Sequence, residues 1–147
     1  MKHIGRLVFM LLFVWLYSTT VNAEQYLCVE EMAAGFTFKN GQWTPAKFRT
    51  DNRYIIRKRK PDDKVLYHQN PVYVVLSTGE EDVIGDCPND FIYGSGLHCD
   101  MPTGEFKFSK RSGRFLKTYL MGYWFHDNDS DSDSDTPHIA IGKCSPL

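Results

Sequence analysis

The sequence lacks an apolar run long enough to cross a membrane as a helix. Its longest run, residues 7–17, has 11 residues, whereas a transmembrane helix needs about 20. A basic start precedes the run, and Val-Asn-Ala at 21–23 follows it as a small-residue cleavage site, which is typical of a secretory signal peptide. We therefore expect residues 1–23 to be a signal peptide and the protein to have no stable membrane anchor.

The sequence also lacks an excess of one charge. Without the signal peptide, 15 of the 17 basic residues remain against 18 acidic ones, a net charge of −3. Because nucleic-acid-binding domains usually carry a strong basic excess, nucleic acid is not expected as a partner. The length left after residue 23 suits one hydrophobic core and is short for two. We predict a single β-rich domain over residues 24–147.

No segment keeps the apolar spacing of an amphipathic helix. Short alternating or apolar runs recur every ten residues or so and are separated by Gly, Pro, Asn and Asp, as in sandwiches and barrels. Asn40-Gly41 lies between two such runs and is a strong hairpin signal. We predict an all-β fold, a small antiparallel β-barrel or β-sandwich of about 7–9 strands. Within it, residues 65–68 are predicted as a strand and residues 80–101 as a long loop.

The cysteines lack the close C-x-x-C spacing of structural zinc sites. All four follow the signal peptide, and an even number in an exported chain indicates disulfides. Four cysteines allow three pairings, among which sequence alone does not decide. We favour Cys28 with Cys144, which ties the first strand to the last, and Cys87 with Cys99, across a glycine-rich loop. Two disulfides and a signal peptide predict a periplasmic or secreted protein.

Catalytic motifs are missing as well. Ser95 lies in Gly-Ser-Gly and not in the G-x-S-x-G nucleophile elbow, and the histidines form no H-E-x-x-H group. Adjacent carboxylates such as Glu80 and Glu81 point to opposite faces of an extended chain, so they make no acid–base pair by themselves. The sequence favours a protein that binds without catalysis. The alternative is a small hydrolase whose carboxylates are brought together by the fold.

One short segment is rich in carboxylates that alternate with Asn and Ser. Its aspartates are Asp127, Asp129, Asp131, Asp133 and Asp135. Calcium prefers such oxygen ligands, but an EF-hand needs Gly at the sixth loop position and Glu at the twelfth, where this chain has Ser132 and His138. The segment is therefore either a solvated loop or a candidate Ca²⁺ site in a calcium-stabilised module. No other cofactor is expected.

Basic side chains gather in two stretches of the sequence. The candidate binding residues among them are Arg57, Arg59, Lys110, Arg111 and Arg114. If the fold joined the two stretches, they would form a patch for an anionic partner such as an envelope glycan or an exported protein. Otherwise they are solvated strand ends and turns, which also oppose aggregation through sheet edges.

Aromatic residues make up 14% of the sequence. Five of them are candidates to line a sugar or peptide site: Trp43, Tyr54, Tyr119, Tyr123 and Trp124. In a domain of this size most aromatic side chains are expected in the core.

Several stretches at the start and the end of the mature chain are familiar in combination, namely 28–48, 104–108, 113–116, 122–124, 135–137 and 141–144. In these stretches the chain resembles a family of small exported proteins of Gram-negative bacteria and their phages. The resemblance implies a periplasmic protein and supplies no activity. In size and β-rich architecture alone, the chain is also similar to periplasmic lysozyme inhibitors, although it matches none of their inhibitory loop motifs. We expect an inhibitor-like binding protein for an envelope component or an exported protein.

Overall fold

The computed structural model describes residues 25–124 and 135–147. In these ranges the chain forms nine β-strands. They are β1 (Gln25–Lys39), β2 (Gln42–Phe48), β3 (Arg53–Lys58), β4 (Tyr73–Ser77), β5 (Val83–Cys87), β6 (Gly96–Met101), β7 (Gly104–Ser109), β8 (Arg114–Tyr119) and β9 (His138–Pro146). The predicted all-β class is confirmed. The predicted signal peptide lies outside the described residues.

The strands form one antiparallel sheet that closes into a barrel. The order is β1-β3-β4-β5-β6-β7-β8-β9, and β9 pairs back with β1, so the barrel has eight strands. The extra strand, β2, pairs with the second half of β1. The hairpin between them has φ 51° at Asn40 and 77° at Gly41, the left-handed values that a type I′ turn requires. We call the end where β1 starts and β9 stops the lower end.

Alternate residues of the strands point inward and fill the barrel. Phe106 and Phe115 stack with their ring centroids 4.9 Å apart, and the Tyr54 ring meets each of them edge-on. Toward the lower end, Tyr26 and Phe108 lie 4.9 Å apart. Barrels of eight strands have an interior just wide enough for such side chains. The interior is therefore a packed aromatic core.

Both disulfides join neighbouring strands. Cys28 on β1 is the direct partner of Cys144 on β9, and the two Cα atoms are 3.9 Å apart. Cys87 on β5 is bonded to Cys99 on β6. The favoured pairing is thus confirmed. Two disulfides are compatible with an oxidising, extracellular compartment.

Two local predictions are wrong. Residues 80–101 are not one loop, because they contain β5 and β6. A Cβ at Gly85 would lie 2.9 Å from the Asp100 carbonyl oxygen, so this glycine permits a close strand contact. Residues 65–68 form no strand, because the Asp86 carboxylate accepts hydrogen bonds from the backbone N–H groups of Leu66 and Tyr67, at 2.7 and 2.9 Å. A side chain takes the place of a strand partner.

The segment 59–72, between β3 and β4, is fastened to the outside of the barrel. Asp86 is fully buried beneath it and is the register partner of Val74 on β4. His68 Nε2 lies 2.7 Å from Asp100 Oδ2 and 3.7 Å from Asp86 Oδ1. The segment therefore covers the outer face of β4 and β5.

An ion pair also fastens this segment. The Arg57 guanidinium donates two hydrogen bonds of 2.7 Å to the Asp63 carboxylate. These bonds are the main reason that the pKa of Asp63 lies below its ordinary 3.8. Burial of the carboxyl group opposes this lowering, and a hydrogen bond from the Lys60 backbone N–H adds to it. A carboxylate with a lowered folded pKa stabilises the fold above its unfolded pKa, and this stability is lost as the pH falls through the folded value.

We therefore expect Asp63→Asn to lower the free energy of unfolding at neutral pH. The variant should also lose less stability than the wild type as the pH falls from about 5 to about 2. Urea unfolding at a series of pH values measures both effects. Asp62→Asn, at the exposed neighbouring position, is the matched control. Equal acid sensitivity in wild type and Asp63→Asn would contradict the expectation.

Candidate functional site on the outer wall of the barrel

The outward side chains of β6 to β9 and β1 stand in rows across the strands. One row crosses four strands in the order His98, Lys107, Leu116, Ile141. One step nearer the lower end, Arg114 pairs with Lys143. The closed register thus brings basic and apolar side chains from four strands onto one surface.

The centre of this surface is apolar. We call Val29, Met32, Leu116, Ile139 and Ile141 the apolar wall. Met32 is 61% exposed and Ile141, its register partner, 42% exposed. The register of β1 shifts between Glu30 and Met32, and this bulge turns both Glu31 and Met32 outward. Soluble monomers rarely expose contiguous apolar surface without an interaction to serve.

A groove of about 680 Å³ lies on the lower half of this surface. Leu116 and Ile141 belong to its lining, and Lys107, Arg114 and Lys143 line it as well. Lys107 pairs with Glu105 at 2.6 Å and Lys143 with Glu31 at 3.2 Å. Exposed ion pairs of this kind contribute at most about 1 kcal/mol. Their cations can therefore exchange partners at little cost when an anionic surface arrives.

The predicted basic residues divide between two places. Lys110, Arg111 and Arg114 belong to the β7–β8 turn and the start of β8, and Arg114 lines the groove. Arg57 and Arg59 belong to β3 and the segment after it, and β1 and β9 separate β3 from β8 in the barrel. The Arg57 guanidinium is occupied by Asp63. Of the five candidate binding residues, Arg114 alone lines this groove.

A polar cluster lies inside the barrel. Glu30 is 4% exposed; its Oε1 accepts a 2.6 Å hydrogen bond from the Tyr54 hydroxyl and its Oε2 a 2.9 Å bond from Asn52 Nδ2. The Lys117 ammonium lies 5.7 Å from the centre of the Tyr54 ring. Burial lowers the pKa of Lys117, against the opposing charge of Glu30. Because both Glu30 carboxylate oxygens accept hydrogen bonds, we interpret the cluster as one that stabilises the fold.

The same geometry raises the pKa of the Tyr54 hydroxyl above its ordinary 10, through burial first and then through the hydrogen bond to Glu30. The hydroxyl therefore stays protonated as a donor throughout the physiological range. Two carboxylates, those of Asp86 and Asp100, both lie near His68 Nε2, at 3.7 and 2.7 Å. Asp86 is fully buried beneath the segment 59–72. A substrate would therefore not reach its carboxylate.

The candidate calcium ligands Asp127, Asp129, Asp131 and Asp133 lie outside the described residues, and calcium binding by them stays a prediction. Asp135 is described. It adds to the effect of burial in raising the pKa of Tyr119. In residues 25–124 and 135–147, no three His, Cys, Asp or Glu side chains form a group that could hold a metal ion. The same ranges contain no helix long and apolar enough to cross a membrane.

The fold does not bring the candidate aromatic residues together into one site. Tyr54 is in the core, whereas Trp43 meets Phe38 and Tyr123 edge-on, at 5.7 and 5.5 Å between ring centres. Tyr119 stacks on His138.

The sequence does not predict the outward position of Met32, because that position depends on the bulge in β1. The signal that could have found part of the apolar wall is Ile-Ala-Ile at 139–141. Small Ala140 is 1% exposed and points inward, so the two isoleucines on either side must face out.

Comparison of the chain with protein-family models, with curated proteins and with solved structures found no match.

Proposed function

We propose that this protein is a non-enzymatic binding protein of the periplasm or the extracellular space, and that its apolar wall docks another exported protein. The observation that carries the proposal is the exposure of Met32, Ile139 and Ile141 side by side on β1 and β9. The outer face of β4 and β5, in contrast, is covered by the chain's own segment 59–72. The apolar wall has no such cover among the described residues.

The chemistry of this surface favours a protein partner over a glycan. Its centre consists of aliphatic side chains, which resemble the desolvated centre of a protein interface. Its lower border is basic, through Lys107, Arg114 and Lys143, and such a border steers and orients an acidic partner. The signal peptide expected at residues 1–23 and the two disulfides support a partner in the same exported compartment.

A photo-crosslinking residue at position 32 tests the proposal. In the organism that makes the protein, we expect light to produce one reproducible adduct, and mass spectrometry to identify it as one exported protein. The matched control carries the same crosslinking residue at exposed position 81. This position lies in the β4–β5 turn, at the end of the barrel opposite the lower end. A carboxylate placed in the wall by Ile141→Asp should reduce the adduct by about tenfold, since burying it costs more than 1.4 kcal/mol.

Two outcomes would count against a protein partner. If position 32 yields no more adduct than position 81, the apolar wall has no partner. Alternatively, the adduct could be a polysaccharide, which would make the ligand an envelope glycan.

A further inference from the structure

The groove has room for a ligand because two small residues lie next to each other in its lining. Gly96 on β6 is the register partner of Ser109 on β7, and both line the groove. Apart from its chain neighbours, the nearest atom to a Cβ added at Gly96 would be the Ile92 carbonyl oxygen, at 3.8 Å. The surface over Gly96 is therefore open.

Four basic side chains line the groove in two directly opposed pairs. His98 and Lys107 are register partners on β6 and β7, and Arg114 and Lys143 are partners on β8 and β9. All four belong to the lining. Like charges directly opposite each other in an antiparallel pair are destabilising. An anion held between Arg114 and Lys143 would remove that cost.

Arg114 differs from the two lysines of the groove in its ion pairing. Lys107 pairs with Glu105 and Lys143 with Glu31, in both cases at the exposed surface, where such pairs contribute little. Within residues 25–124 and 135–147, the Arg114 guanidinium pairs with no carboxylate. Its N–H groups are therefore available to a ligand.

The charge of the lining matches a dianion. With His98 counted as neutral, three of the lining side chains are cationic and one, Glu31, is anionic, an excess of two positive charges. A phosphate monoester carries about two negative charges at neutral pH and offers three acceptor oxygens. The Arg114 guanidinium can bind such a group through two parallel hydrogen bonds, and lysine ammonium groups bind it as point charges. The Ser112 hydroxyl accepts a hydrogen bond from the Arg114 backbone N–H and keeps its own proton to donate.

We propose that the groove is a binding site for a phosphate monoester carried by a sugar or a lipid. Arg114 and Lys143 bind the phosphate oxygens, and Lys107 adds a third cation. The group that carries the phosphate lies against Leu116 and Ile141, which also line the groove. The volume of about 680 Å³ is within the range of small-ligand sites. This inference goes beyond the proposed function, because the site needs no protein partner.

Titration of the oxidised protein at low salt, followed by the NMR signals of its backbone amides, tests the site. With glucose 1-phosphate we expect saturable shifts at Ser109, Arg114 and Lys143. The methyl diester of the same sugar phosphate has one charge fewer and should bind more weakly. Equal binding of the monoester and the diester, or shifts spread over all basic surfaces, would overturn the proposal.

Vesicles distinguish a lipid source of the phosphate from a sugar source. Phosphatidic acid carries a phosphate monoester and phosphatidylglycerol a diester, so each is mixed at the same mole fraction into phosphatidylcholine. Cosedimentation with phosphatidic acid alone would assign the lipid, and binding of glucose 1-phosphate without cosedimentation would assign the sugar. Absence of both kinds of binding would overturn the proposal.

Variants of Arg114 test the role of its guanidinium. Arg114→Gln should weaken binding of the monoester by about tenfold or more, the effect of losing a hydrogen bond to a charged group. Arg114→Lys keeps the charge without the forked donors, and we expect an intermediate loss. Arg49→Gln is the matched control, since it removes the same charge at a side chain that is 88% exposed and pairs with Asp51. Equal losses for Arg114→Gln and Arg49→Gln would show that binding follows net charge, which contradicts a site in the groove.

Gly96→Leu fills the groove without changing a charge. We expect it to weaken binding at least as much as Arg114→Gln. Gly96 is not among the glycines with a positive φ, and glycine inside a strand is destabilising relative to residues with a side chain, so the melting temperature should not fall. Gly96→Ala, which adds one methyl group, is the matched control and should still bind. Full binding by Gly96→Leu would place the ligand outside the groove and overturn the proposal.

The same variant distinguishes this inference from the proposed function. Gly96 on β6 is separated from Met32 on β1 by β7, β8 and β9, so Gly96→Leu should leave the adduct at position 32 unchanged. Phosphate binding without an adduct at position 32 would support the groove site and contradict docking on the apolar wall. An adduct without phosphate binding would support the wall and overturn the groove site.

Discussion

Cys28→Ala with Cys144→Ala should lower the free energy of unfolding by about 5 kcal/mol in the chain-entropy model of disulfides. The bridge joins residues 116 positions apart, so in the unfolded chain it closes a loop of nearly the whole protein. The Cys87–Cys99 bridge spans 12 positions, and its removal by the same substitutions should cost about 3 kcal/mol.

Equilibrium unfolding in urea, on the oxidised proteins, compares the two double variants directly. Each pair loses the same atoms, so the difference between them isolates the effect of loop length. Equal losses, or a larger loss for the short loop, would show that native contacts of the sulfur atoms outweigh chain entropy. The Cys28–Cys144 disulfide also holds β1 to β9. We therefore expect its loss to widen the gap between these two strands, where the apolar wall lies.

Glu30→Ala should lower the free energy of unfolding by about 3–5 kcal/mol, the range for removing one partner of a buried charged group. The Tyr54 hydroxyl and Asn52 amide would lose their acceptor. Lys117 would lose the nearby anion that offsets its burial. Glu31→Ala is the matched control, since its carboxylate is half exposed and pairs with Lys143 at the surface, where a salt bridge contributes at most about 1 kcal/mol.

Chemical denaturation of the two variants measures the difference. A second variant, Glu30→Leu combined with Lys117→Met, removes both charges and should recover part of the lost stability, because it leaves no Lys117 charge to be buried without a nearby anion. If Glu30→Ala and Glu31→Ala lower the free energy of unfolding by similar amounts, Glu30 does not have the stabilising role that its hydrogen bonds indicate.

Short sequence features were enough to predict the β1–β2 hairpin and to favour the observed disulfide pairing. Asn40-Gly41 can adopt two left-handed backbone conformations, so the β1–β2 hairpin followed from two residues. Pro45 lies on β2, the strand outside the barrel, where a missing backbone N–H is tolerated. The disulfide pairing was favoured by the position of Cys28 and Cys144 near the ends of the chain, and antiparallel pairing of the end strands brings them together.

Closure of the barrel could not be predicted in the same way. It depends on registers between strands far apart in sequence, such as β1 with β9, and a sandwich would show the same alternation. The bulge after Glu30 shifts which of the following residues of β1 point inward, so that Glu31 and Met32 both face outward. Asp86 pairs with the backbone of Leu66 and Tyr67 across about 20 residues, and no local pattern carries that information.

The candidate sites show the same division. Lys110, Arg111 and Arg114 were predicted as basic binding residues from composition alone, and of these three the fold places Arg114 at the groove.

The adjacency of the first and last strands also governs how the chain responds to pulling. The Leu147 N–H donates to the Gln25 carbonyl at 3.0 Å, and a few residues further in, the covalent bond between Cys28 and Cys144 bridges the two strands. Tension applied between Gln25 and Leu147 therefore passes through this bond and not through the barrel. An energy-dependent protease that threads the oxidised chain would meet a covalent loop of more than a hundred residues at Cys28 or Cys144.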